Sequence, residues 1–207
     1  MINWIIFDVD GTLIETALSN TLALQDTMKA LHGKEYSEEE LRKLMGIPGD
    51  EALRKIGIKE ENITSTWIFW ENKVKNYLNY NYVFEGVKDM LYSLNKKYSL
   101  AIVTSKTHTQ LNNDLKDTGI LDYFNIWICK EDTEKHKPNP DPLIKVMEKA
   151  HINPEEAIYL GDALVDYESA KSAGMRFAHC RYSEKTDDIN CKLIFNKPIE
   201  ITNYFIK

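Results

Sequence analysis

Short apolar runs without polar alternation recur along the chain, each parted from the next by a helix-length segment. The runs are Trp4–Phe7, Leu100–Val103, Asn125–Cys129 and Ala157–Leu160, with Arg176–Cys180 weaker and Lys192–Phe195 a sixth candidate. A strand with one wet face alternates apolar and polar residues. A run that does not alternate is covered on both faces, as in a parallel sheet between layers of helices. Between the runs, Val87, Met90, Leu91 and Leu94 fall at helical spacing, as do Leu143, Val146, Met147 and Ala150. Ala170, Ala173 and Gly174 close a third helix, with glycine as its stop. Strand–helix alternation implies right-handed crossovers and an α/β fold with a doubly wound, mostly parallel sheet. Such sheets bind ligands at the carboxyl ends of their strands.

Residues 16–80 break the rhythm. "ALSNTLALQDTMKAL", "SEEELRKLM", "GDEALRKIG" and "STWIFWENKVKNYL" all read as helical, and Ser37 with Glu40 forms a capping-box pattern. The expected organisation is a catalytic core from 1–15 and 81–207, with a small helical cap over 16–80. Hinges are expected near Glu15–Ala17 and Asn79–Phe84.

A net charge of −6 supplies no basic face for nucleic acid, which favours a small-molecule partner. No apolar run approaches a membrane span, and Asp8 and Asp10 interrupt the first run before it could serve as a leader. Cys129, Cys180 and Cys191 form no CxxC pair and no zinc-ligand spacing, so three free thiols in a reducing cytoplasm are expected. His108, His136 and His151 likewise show no metal-ligand spacing. A monomer or weak homodimer is the default.

The polar residues after each apolar run carry the chemistry. Asp8 and Asp10 follow the first run, Thr104, Ser105 and Lys106 the second, Lys137-Pro138-Asn139-Pro140-Asp141 the third at some distance, and Gly161-Asp162 with Asp166 the fourth. A parallel sheet brings all of them to one edge. In a strand, Asp8 and Asp10 would share a face and repel unless something positive lay between them. A hard cation with oxygen ligands, Mg²⁺ above all, suits Asp8, Asp10 and Asp162. An aspartate can attack phosphorus, and a second carboxylate can protonate the leaving oxygen and then activate water. Backbone N–H groups around Gly11, with Thr104, Ser105 and Lys137, suit phosphoryl oxygens.

"DVDGT", "VTS", "KPNPDP" and "GDALVD", in this order, resemble the four motifs of the haloacid dehalogenase superfamily. The helical insert resembles the C1 cap of its phosphoglycolate-phosphatase-like and phosphoglucomutase-like branches. The resemblance implies a Rossmann-like core, with Asp8 as nucleophile and Asp10 as general acid/base. It implies that Thr104 binds phosphate, Lys137 stabilises nucleophile and phosphate, Asp162 ligates Mg²⁺ and Asp166 supports the metal shell. Asp10 would offer the metal its backbone carbonyl. Because the dehalogenase branch lacks the second Asp, Asp10 argues against that chemistry. Mutases usually have Glu-Asp where Gly161-Asp162 stand and a His in the first cap helix, whereas His32 comes late.

The expectation is therefore a Mg²⁺-dependent phosphatase acting on a small phosphomonoester. A phosphosugar mutase is the first rival, and a non-catalytic binding module of the same fold the second. Several assignments have plainer competitors. Thr104-Ser105 and Asp162 could cap helices, Asp166 could be a solvated helix acid, and Lys106 stands in reserve for Lys137. Arg54 and Lys55 fit a solvated helix face, and Trp67, Phe69, Trp70 and Tyr77 fit packing better than base stacking.

Overall fold

The computed structural model describes residues 1–183 and 187–207. In chain order its strands are β1 (Trp4–Phe7), β2 (Ile14–Glu15), β3 (Tyr82–Val83), β4 (Ser99–Val103), β5 (Ile126–Ile128), β6 (Ala157–Gly161), β7 (Arg176–Cys180) and β8 (Ile194–Phe195). Its α-helices are α1 (Ala17–His32), α2 (Glu38–Arg42), α3 (Gly49–Lys55), α4 (Glu60–Val74), α5 (Val87–Leu94), α6 (His108–Leu115), α7 (Asp141–Ala150), α8 (Leu164–Ser172) and α9 (Pro198–Phe205). The chain divides into two compact units, residues 1–14 with 83–207, and residues 15–82.

The first unit is built on a parallel sheet of order β5-β4-β1-β6-β7-β8. Central β1 pairs on both sides, so Ile6 lies opposite Ala101 and Tyr159. The period of two explains why its runs are continuously apolar. Ile5, Phe7, Ile102 and Leu160 turn to one layer, where α5, α6 and α9 supply Met90, Leu111 and Ile201. Ile6, Ala101, Val103 and Tyr159 turn to the other, where α7 and α8 supply Leu143, Val146 and Ala170. This is the doubly wound α/β sheet that the runs imply. β5 is one residue shorter at each end than its apolar run, because Cys129 leaves the ladder to open a 3-10 turn over Lys130–Asp132.

The second unit holds α1 to α4 around Leu24, Met28, Leu41, Leu53, Ile63 and Trp70. The Ser37–Glu40 capping box forms, with Ser37 N–H donating to Glu40 Oε2 at 2.8 Å and Glu40 N–H to Ser37 Oγ at 3.2 Å. Trp70 is buried with its indole N–H on the Asn20 carbonyl, while Trp67 and Tyr77 pack beside the cluster. Arg54 is engaged by Asp50 and Glu60 on the surface, as a solvated helix face requires. His32 Nε2 lies 2.9 Å from the hydroxyl of buried Thr66. Flanking the helical segment 16–80, β2 and β3 pair as a two-stranded sheet. Two residues apiece carry too little pattern to be read in advance.

Candidate active site

The first strand stops at Phe7, so Asp8 and Asp10 lie beyond it in a turn rather than on one strand face. The Val9 carbonyl accepts from the N–H groups of Leu13 and Ile14 at 2.8 and 3.1 Å, closing the turn. Tyr182 braces it by donating its hydroxyl to the Thr12 carbonyl at 2.6 Å. The two carboxylates take separate cations. Lys137 Nζ is 2.8 Å from Asp8 Oδ1, and Lys106 Nζ is 2.9 Å from Asp10 Oδ1. Each of the two acids thus has a lysine of its own.

Lys137 is the hub. Its Nζ also reaches Asp166 Oδ1 at 2.7 Å and the Tyr159 hydroxyl at 3.2 Å. Tyr159 in turn donates to Asp166 Oδ1 at 2.9 Å. Asp166 is fully buried and its Oδ2 accepts from Ala163 N–H at 3.1 Å, which rules out the solvated-acid alternative. That bond also shows that Ala163 opens α8, so Asp162 is not the helix cap. Thr107 caps α6 in a box with Gln110, which removes that duty from Thr104 and Ser105. Thr104 Oγ1 accepts from Lys106 N–H at 3.2 Å, while the Ser105 hydroxyl is buried with no hydrogen-bond partner among the described residues.

Carboxylate oxygens of Asp8, Asp162 and Asp166 lie within 4.8 Å of one another. Crowding acids this closely is costly. Burial, outweighing the attraction of Lys137, pushes the Asp8 carboxyl up to about 7, with Asp166 and Asp10 pushing the same way. Asp162 keeps some solvent contact, yet burial first and Asp166 and Asp8 next push its carboxyl well above the usual range. Lys137 is raised despite its own burial, because Asp166 and Asp8 hold its charge. The two directions are consistent: one ammonium is shared by two acids, so it is held firmly while Asp8 is only partly compensated. An all-oxygen donor set with uncompensated buried charge fits a hard divalent cation such as Mg²⁺.

Two glycines make room for this cluster. Gly11 sits at φ +72, and a Cβ built there would fall inside the Asp162 carboxylate. A Cβ at Gly161 would sit 2.6 Å from Asp166 Oδ2. Gly11→Ala is therefore expected to cost about 2 kcal/mol, from left-handed backbone strain and displacement of Asp162. Thermal melts would read the loss, and phosphate release should fall by roughly tenfold or more if the displaced Asp162 carboxylate serves the chemistry.

Sequence reasoning missed three participants. Asp114 holds Lys106 Nζ from its other side at 2.7 Å; it lies beside the inward-facing Leu111 and Leu115 of α6, a signal that could have found it. Tyr159 sits in an apolar run and reads as core. Tyr182 carries no local mark at all.

The chain was compared with known proteins. A family model for haloacid dehalogenase-like hydrolases matches residues 5–180. A pyrophosphatase PpaX of Oceanobacillus iheyensis is 32% identical over 186 residues, covering 89% of this chain and 86% of its own. A phosphoglycolate phosphatase of Aquifex aeolicus is 30% identical over 178 residues, covering 84% and 82%. A Lactobacillus plantarum protein of solved structure superposes with a TM-score of 0.92 at 24% identity, over 99% of this chain and 100% of its own.

Proposed function

The chain belongs to the haloacid dehalogenase-like hydrolase family, as a phosphoric monoester hydrolase, and we propose that it acts on a small phosphorylated metabolite through an aspartyl-phosphate on Asp8. The observation that supports this most is Lys137 Nζ within 2.8 Å of Asp8 Oδ1, at a strand end shared with Asp162 and Asp166. An attacking carboxylate must be ionised, and Lys137 favours that form against burial.

Asp8 Oδ attacks phosphorus in line with the leaving oxygen, which takes a proton from Asp10. Lys106, 2.9 Å from Asp10, holds that side chain in place. Asp10 then takes a proton from water as the water oxygen attacks the same phosphorus, and phosphate leaves with Asp8 restored. The Ser105 hydroxyl, Thr104 and Lys137 bind the phosphoryl oxygens, whereas the Gly11 N–H expected beside them is taken by the Ile14 carbonyl at 2.9 Å. Asp8, Asp162 and the backbone carbonyl of Asp10 would hold Mg²⁺, which supplies charge neutralisation for an anionic nucleophile meeting an anionic substrate. Asp166 orients Lys137.

Inorganic pyrophosphate is a second substrate reading, favoured by the pyrophosphatase relative. Phosphate release would be measured with Mg²⁺ over phosphoglycolate, pyrophosphate, a nucleoside monophosphate, a hexose 1-phosphate and an aryl phosphate. One of them is expected to exceed the rest in kcat/KM. Sugar interconversion without free phosphate would favour the mutase, and no turnover of any would favour a non-catalytic module. Mg²⁺ at a hundredfold excess over its Kd should stabilise the fold by about 2.7 kcal/mol, a rise of roughly 5–10 °C in Tm. No rise would remove the metal from the scheme.

A further inference from the structure

A second cluster of ligating side chains lies in the same unit, formed by residues with no part in the chemistry above. His108 Nε2, Cys129 Sγ and Asp132 offer ligand atoms that all fall within 4.8 Å of one another. His108 is the first residue of α6, Cys129 follows β5 and Asp132 ends the 3-10 turn, so the sheet edge brings them together. His108 Nε2 is 2.8 Å from Asp132 Oδ2.

We propose that His108, Cys129 and Asp132 form a binding site for a borderline-soft divalent ion, Zn²⁺ by its chemistry. One nitrogen, one sulfur and one oxygen donor suit Zn²⁺ and not Mg²⁺, which takes oxygen alone. Tetrahedral Zn²⁺ holds its ligand atoms about 3.3–3.8 Å apart. The present spacing reaches that with small side-chain shifts. One ligand is already oriented by the backbone: Asp132 Oδ2 accepts from Cys129 N–H at 2.8 Å, while Glu131 fixes the main chain of His108 by accepting from its backbone N–H at 3.1 and 3.2 Å. Supports of this kind tune metal sites.

Access runs from the His108 side, whose side chain is 48% exposed; Asp132 is 23% exposed and Cys129 closes the inner end at 1%. Three protein ligands leave a fourth position for water. On binding, the metal takes the place of the Cys129 thiol proton, which passes to solvent, while neutral His108 binds through Nε2 and keeps its single N–H at Nδ1. The site is tied to the loop that holds Asp10, since Lys130 N–H donates to the Lys106 carbonyl at 2.8 Å.

Co²⁺ titration with Mg²⁺ saturating the acidic cluster tests this directly. Wild type is expected to develop a thiolate-to-cobalt charge-transfer band in the near ultraviolet, complete at one equivalent and displaced by Zn²⁺. Cys129→Ser should lose the band and Cys191→Ser keep it. His108→Ala, on the exposed side where folding is not at stake, should weaken Co²⁺ binding by roughly 10- to 100-fold. Absence of the band in wild type, its survival in Cys129→Ser, or full affinity in His108→Ala would overturn the site, leaving a His–Asp pair with a capping thiol.

Discussion

Asp8→Asn should reduce phosphate release by roughly 10⁴-fold or more, the order seen when a nucleophile is removed, while the protein remains folded. An amide oxygen accepts the Lys137 hydrogen bond but does not attack phosphorus. The stability of the same variant is equally informative. Asp8 carries a folded-state pKa of about 7, above the ordinary aspartate value, because burial outweighs Lys137. The folded state therefore binds that proton more tightly than the unfolded chain does. Ionising Asp8 costs stability, a penalty that is absent at low pH, grows as pH rises from about 4 to about 7 and is constant above. Removing the carboxylate removes the penalty. In chelator, Asp8→Asn should match wild type in Tm near pH 4 and exceed it near pH 8. With Mg²⁺ the order should narrow or invert, since only wild type offers this carboxylate to the ion. A variant that still turned over would refute the nucleophile. One that lost Tm at pH 8 in chelator would refute the picture of an overcrowded acid cluster.

The sheet was legible because burial on both faces leaves its mark inside each strand: Ile5 and Phe7 face one layer, Ile6 the other, and all are apolar. The strand-end rule then gathered Asp8, Lys137, Asp162 and Asp166, which do meet. What stayed hidden depends on side chains that cross between elements. Nothing local to Lys106 shows that it serves Asp10, with Asp114 eight residues further on completing its cage. Tyr159 could not be told from core, since a buried tyrosine in a strand differs from phenylalanine only by where its hydroxyl ends. His108, Cys129 and Asp132 escaped for a related reason. Metal spacing rules see ligands on one turn or one helix, and these three follow two different strands, His108 after β4 and Cys129 and Asp132 after β5. Asp166 reads equally as a solvated helix acid, because only its burial on Lys137 tells the two apart.

Lys137→Met should be the most destabilising single change at the acidic rim. The ammonium is 4% exposed and lies 2.8 Å from Asp8 and 2.7 Å from Asp166. Methionine nearly keeps its volume, so the effect isolates charge. Removing one partner of a buried pair leaves the others uncompensated and costs about 3–5 kcal/mol, or roughly 6–20 °C in Tm for a chain of this size. Two controls separate electrostatics from packing. Because the penalty arises from ionised carboxylates, it should shrink as pH falls and the acids protonate; a packing defect would not respond. Mg²⁺ should restore part of the lost Tm, as it offsets the same charges. Lys137→Arg keeps the charge but swaps a compact ammonium for a planar fork that cannot occupy the same point. It should therefore recover stability more than turnover. Were Lys137→Met within about 1 kcal/mol of wild type at pH 8 in chelator, the acids could not be bearing the mutual repulsion their spacing implies, and the case for a divalent ion among them would lose its physical basis.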